Sequence, residues 1–193
     1  MMRSRKSNRK QNFNYASEGI YFITSCCKGR VHHFGEVIND VMDLNEFGLI
    51  AQNQILWLEK QYPYISLHNS VVMPNHVHIL FEIVVGTGRD LSSNTAKRTG
   101  RDLSTSPINR TGRDLSLPKI KSVSSLIGAF KTTTSKSIHL AGNYSFSWQR
   151  SFHNRIVNDS RKYDLINKYI TENPKLWNQD IFNKFTNPNY KEN

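Results

Sequence analysis

The sequence predicts an α+β fold, a ferredoxin-like (split βαβ) antiparallel sheet with an added C-terminal helix. Two observations lead there. Apolar residues recur with the two-residue repeat of strands and the 3.6-residue repeat of helices, in the order strand, helix, strand, strand, helix, strand, helix. In addition, the second and third strands are separated only by a short proline-containing joint, which suits an antiparallel pair. A chain of 193 residues has enough length for one such domain with a core and hardly enough for two. Another α+β sandwich with the same element order is the alternative.

Residues 19–28, GIYFITSCCK, are aromatic and β-branched and predict the first strand. From about 39 to 61 the apolar residues Val41, Leu44, Phe47, Ile50, Ile55 and Leu58 follow helical spacing, which predicts an amphipathic helix. Residues 65–73 and 76–85 predict the second and third strands, with Pro74 breaking the run between them. A helix is expected over 122–141, with Val123, Leu126, Ile127 and Phe130 inward, and a fourth strand over 146–157. The last helix is expected to start near the cap Asp159 or Ser160. It should weaken at Asn173, because Pro174 disfavours helical geometry in the residue before it. This places one domain over 15–180 and a C-terminal tail over 181–193.

One segment does not fit a packed domain. TGRDLS occurs three times without change, at 87–92, 99–104 and 111–116, a period of 12. Solenoid units need roughly 20–50 residues, and the stretch is rich in Ser, Thr, Gly and charge. It reads as a mobile surface loop at about 86–120 that interrupts the domain.

Charge bounds the partners. Lys plus Arg number 26 against 15 acids, a formal net charge of +11 with a sequence pI near 9.8. So basic a chain is expected to seek polyanions, because each neutralised phosphate releases counterions. Residues 1–14 carry Arg3, Arg5, Lys6, Arg9 and Lys10 and no acid, and read as a flexible basic arm. The only cysteines, Cys26 and Cys27, are adjacent, which excludes a disulfide framework and a zinc site of their own. Low cysteine use, no secretory signal and no run of about 18 apolar residues lead to the expectation of a cytoplasmic protein without a membrane partner.

Two pairs of residues could carry chemistry. His76 and His78 alternate on a strand, so their imidazoles share a face with Leu80 and Glu82 and could share a metal ion. Tyr169 and Asn173 are four apart on a helix and share a face there. Each pair alone is a weak signal: His-x-His occurs by chance on half-exposed strands, and Tyr169 could simply pack with Ile166 and Ile170.

Together with a third motif they gain specificity. Met73-Pro74-Asn75-His76-Val77-His78-Ile79-Leu80 resembles the His-hydrophobic-His signature of HUH transposases. Trp148-Gln149-Arg150-Ser151-Phe152-His153 and Tyr169-Ile170-Thr171-Glu172-Asn173-Pro174 resemble the Trp-Gln and Tyr-Ile-x-x-Asn-Pro elements of the REP-associated tyrosine transposases, a single-tyrosine branch. The resemblance runs from about Tyr21 to Trp177 and is interrupted by the TGRDLS insert. It implies metal-dependent cleavage and joining of single-stranded, hairpin-containing DNA through a 5′-phosphotyrosine on Tyr169. It also implies that His76, His78 and Asn173 hold Mg²⁺ or Mn²⁺. Candidate DNA contacts are the basic arm, Lys131 and Lys136, Arg150 and Arg155, and Trp148 as a base-stacking ring. The competing readings are a non-catalytic nucleic-acid-binding module and a domesticated nuclease acting on chromosomal repeats. A homodimer is left open.

Overall fold

The structure, a computed structural model, describes residues 18–84 and 120–183. The elements run β1 (Gly19–Cys26), β2 (Gly35–Ile38), β3 (Val41–Leu44), α1 (Glu46–Gln61), β4 (Ile65–Met73), β5 (His76–Ile83), α2 (Val123–Leu140), β6 (His153–Val157) and α3 (Ser160–Glu172). The basic arm, the insert through residue 119 and the tail from residue 184 lie outside the described residues.

β4, β5, β1 and β6 form one antiparallel sheet in that order. This is the expected split βαβ arrangement: the first strand of the sheet sits centrally and the connections carrying α1 and α2 cross one face. Met73 pairs with His76, so β4 and β5 close as a hairpin over Pro74 and Asn75. Tyr21 and Ile23 of β1 and Val77, Ile79, Phe81 and Ile83 of β5 pack with α1 and α2 into the larger core. The opposite face is smaller, with Leu80 and Val157 against Ile166 and Ile170 of α3. Each fully buried Ile, Leu or Phe contributes roughly 1.5–3 kcal/mol. The α1/α2 face therefore carries most of the stability, and the α3 face is free to hold polar groups. The strand alternation read from the sequence holds, and both imidazoles point to the α3 side.

Two expectations are corrected. Residues 39–45 are not helix. Asn39 and Asp40 both have positive φ, 49° and 63°, the backbone that a tight two-residue hairpin needs, and they join β2 to β3. Val41 and Leu44 fit a helical spacing by coincidence, and the Asn-Asp pair was the stronger signal. α1 begins only after Asn45, whose side chain caps it by accepting from the Gly48 N–H. The fourth strand is short, His153–Val157, while Trp148 makes only an isolated bridge to Cys27. The segment between is held instead by the Lys131 ammonium, which donates to the carbonyls of Gln149 and Ser151 at 2.9 and 3.0 Å. The last helix does give way at Asn173, but not through its dihedrals: Asn173 stays helical at φ −55° and ψ −41°, while α3 ends at Glu172 and the chain tightens into a 3₁₀ turn over Asn173–Gln179. Among the described residues, no helix is long and apolar enough to cross a membrane.

Candidate active site

The site grows from the first residues of β5. His76 and His78 are buried and their Nε2 atoms lie 3.1 Å apart. The amide nitrogen of Asn75 donates to the carbonyls of Arg30 and Phe182, so its oxygen is the atom that faces Nδ1 of His76, at 2.9 Å. That network assigns the His76 proton to Nδ1 and leaves the lone pair on Nε2. Nδ1 of His78 is engaged by the hydroxyl of Thr24 on neighbouring β1, at 2.8 Å, and Phe22 stacks on the ring. Burial lowers the pKa of both rings, that of His78 to about 3, so both are neutral imidazoles at neutral pH.

α3 brings the phenol. The Tyr169 hydroxyl oxygen lies 3.3 Å from Nε2 of His78. The helix is fixed over the sheet by Asn69 of β4, whose amide donates to Asn167 Oδ1 and Thr171 Oγ1 at 2.6 and 3.1 Å. Burial raises the pKa of Tyr169, and the charge of Asp180 adds to the effect. One turn beyond, Asn173 is buried, and its amide lies near enough to Tyr169 and Asp180 to favour their charged forms. Neither of its polar atoms, however, completes a hydrogen bond of ordinary geometry.

The 3₁₀ turn then delivers a group that the sequence reading missed. Asp180 is buried, with Oδ1 accepting from the Phe182 N–H at 2.7 Å and Oδ2 lying 3.9 Å from Nε2 of His76. Arg30 docks this segment by donating to the Ile181 carbonyl at 2.6 Å and covering the Phe182 ring. Burial raises the Asp180 pKa, against the Phe182 N–H, the Asn173 amide and, least, the Arg30 charge, which lower it. One donor atom from each of His76, His78 and Asp180 fits within 4.8 Å of the others. Two neutral imidazole nitrogens and a buried carboxylate that a cation would neutralise form a donor set that can hold one metal ion.

No family model matches the sequence. Over 176 residues the chain is 30% identical to an uncharacterised protein of Haemophilus influenzae, the match covering 91% of each. The chain belongs to that protein's family. Two solved structures are also similar in fold. One is a REP-associated tyrosine transposase bound to a REP hairpin, 15% identical with a TM-score of 0.49 over 86% of this chain and 73% of that one. The other is a provisionally assigned transposase of Deinococcus radiodurans, 14% identical with a TM-score of 0.43 over 84% of this chain and 96% of that one.

The remaining candidates divide between two places. Arg155 lines a cleft of about 560 Å³ together with Phe22, His78, His153 and Tyr169. Lys131, Lys136, Trp148 and Arg150 line a separate groove beside α2. Lys131 is half-buried and tied to two carbonyls, and burial lowers its pKa to about 8. The Trp148 ring packs among Phe34, Phe130 and Phe146, which is the core role. Glu82, on the histidine face, is paired with His68 at 3.3 Å instead. Arg3, Arg5, Lys6, Arg9 and Lys10 lie outside the described residues. Asp180 has no fixed spacing to the other donors; its one signal was the apolar Trp177, Ile181 and Phe182 around it, which mark a packing segment.

Proposed function

We propose that this protein cuts and rejoins single-stranded, hairpin-bearing DNA as an HUH-type tyrosine transposase, with Tyr169 as nucleophile and Mg²⁺ or Mn²⁺ as its metal. One observation carries the reading. The phenol oxygen and the His76 Nε2 both lie beside the same nitrogen, His78 Nε2, although Tyr169 is 91 residues from His78 in the chain.

His76 and His78 would hold the metal through Nε2, with Asp180 as carboxylate donor and Asn173 as the amide beside it. Two imidazoles suit Mn²⁺ better than Mg²⁺. A divalent cation bound there polarises a phosphodiester and offsets charge on its oxygens as attack begins. Tyr169 supplies the attacking oxygen: its bond to phosphorus forms as the bond from phosphorus to the 3′ oxygen breaks. The phenolic proton leaves to water in the cleft, and the departing oxygen takes one up as a free 3′-hydroxyl. The 5′-phosphotyrosine keeps the bond energy, so a 3′-hydroxyl of another strand can reverse the step and join. Arg155, on the rim of the cleft, and the basic arm would hold backbone phosphates.

The test is a covalent adduct on a denaturing gel, from protein, Mn²⁺ and labelled single-stranded DNA taken from the flanks of its own gene. Tyr169→Phe should abolish the adduct. Tyr163→Phe should retain it, because Tyr163 packs on the small core beside His68 and away from the donor cluster. An adduct that survives Tyr169→Phe and is lost in Tyr163→Phe sinks the assignment.

A further inference from the structure

We propose that the groove between the C-terminal half of α2 and residues 144–150 is a second nucleic-acid subsite, taking an unpaired stretch of DNA with a base on Tyr144 and phosphates on Lys136 and Arg150. It rests on the reading above only in taking DNA as the polymer.

The groove is shallow and open, offers about 700 Å³ and is lined by Thr132, Ser135, Lys136, Tyr144, Gln149 and Arg150 among others. That volume falls within the roughly 300–1,000 Å³ of small-ligand sites, room for a nucleotide or two. Among the described residues its walls carry no acid. From Ile120 to Val157 there is no Asp or Glu at all, in a chain with 15 of them, while Lys121, Lys131, Lys136, Arg150 and Arg155 all fall in that stretch. A face with cations, hydroxyls and no carboxylate is complementary to phosphate.

The rim supplies the ring. Tyr144 is 81% exposed and Leu140 78%, the two highest values among the exposed large hydrophobic side chains of the described residues. The turn is fixed: Gly142 takes φ +98°, the Asn143 N–H returns to the Ile138 carbonyl, and His139 Nε2 meets the Phe146 carbonyl at 2.9 Å. An exposed phenol carried on a fixed turn beside cations is a stacking platform for any unpaired base.

The floor connects the groove to the tyrosine cleft. The Gln149 N–H donates to the Cys26 carbonyl at the end of β1, and Lys131 holds the Gln149 and Ser151 carbonyls. The same segment continues into β6, where His153 and Arg155 line the cleft of Tyr169. Arg150 and Arg155 are thus separated by at most roughly 17 Å of extended chain. A strand leaving the cleft past Arg155 meets Arg150 next.

The experiment is fluorescence anisotropy with the full-length protein and fluorescein-labelled oligo(dT), in EDTA so that no cleavage occurs. Tyr144→Ala should weaken binding roughly 5- to 150-fold, the loss expected for one stacked base, and Tyr144→Phe should restore it. Lys136→Ala with Arg150→Ala should reduce the slope of log affinity against log salt by roughly 1.4, about 0.7 for each lost phosphate contact. Unchanged affinity in both variants overturns the proposal. So does equal competition by a blunt hairpin without unpaired flanks, preference for oligo(U) over oligo(dT), or a Tyr144→Ala effect on self-association alone. Because this titration needs no chemistry, its failure leaves the Tyr169 adduct assay standing, and the reverse also holds.

Discussion

At the head of β5 the buried amide of Asn75 accepts from His76 and donates to the carbonyls of Arg30 and Phe182. It therefore orients one imidazole and ties down the segment that carries Asp180. Groups that orient a ligand in this way typically change metal affinity 10- to 100-fold. Asn75→Ala should lower Mn²⁺ affinity by about that factor in a calorimetric titration, and Asn75→Asp, which keeps the acceptor for His76, should recover part of it. Unaltered affinity in Asn75→Ala would mean that His76 is positioned by something else. The donor set can be tested at the same scale. Asp180→Asn should reduce Mn²⁺ affinity more than Asn173→Ala, because a carboxylate offers charge and an amide only a dipole. The opposite ranking would return the third position to Asn173, as the motif resemblance implied.

Among the elements, α1 shows how local preference and tertiary contact can point in opposite directions. Ala outranks Gly in a helix interior by about 1 kcal/mol, so propensity alone favours Gly48→Ala. A Cβ on Gly48 would, however, lie 2.2 Å from the Phe34 carbonyl oxygen, on backbone that cannot turn aside. Gly48→Ala should therefore destabilise by about 1–3 kcal/mol, read from urea denaturation. A stabilised variant would show that α1 does not press on the chain entering β2. This close approach also explains why the helix starts where it does. Asn45 caps it and donates to the His33 carbonyl at 3.0 Å, fixing the β3–α1 corner in place.

For the molecule as a whole, the ends of the insert meet at one residue. Val84 donates its N–H to the Tyr64 carbonyl at 2.8 Å, and the Lys121 N–H donates to the Tyr64 hydroxyl at 3.1 Å. A much shorter link could therefore span the gap. Deleting residues 87–116 should preserve the fold and the adduct and raise stability on the order of 1 kcal/mol, since a shorter loop costs less entropy to close. Loss of cooperative unfolding would show that the repeats belong to the core. Alkaline pH tests the end of β1, where Cys27 belongs to the larger core and Cys26 stands on the same face of the strand as Thr24. Burial raises the Cys26 thiol from 9.0 to about 11 and Cys27 upward as well. Below pH 9 their contribution is fully present; it is lost as pH rises through the folded values, because the unfolded chain gives up its protons first. Lys131 works in the other direction, its contribution present above 10.5 and lost as pH falls through about 8. Two thiols and the Tyr169 phenol, whose pKa burial also raises, against one amine should make the urea midpoint fall between pH 9 and 11, and replacing both cysteines by Ala should make the fall shallower.

The sequence by itself determined the order of the four sheet strands and three helices, the antiparallel β4–β5 pair and the face on which His76 and His78 stand. These follow from periodicity and from a proline that cannot continue a strand, both local properties of the chain. It also determined that Tyr169 and Asn173 share a helix face. The β2–β3 hairpin was legible too, in Asn39 and Asp40, but a coincident helical spacing masked it. Only the tertiary structure decided that those two faces meet, because their approach depends on α3 closing over the sheet through Asn69 and the small core. It alone brought in Asp180, whose place depends on a 3₁₀ turn, on Arg30 and on Asn75. It also gathered Lys136, Tyr144 and Arg150 around one groove. No spacing along a chain encodes a distance across it, so what pattern reveals is the faces, and what folding decides is which of them touch.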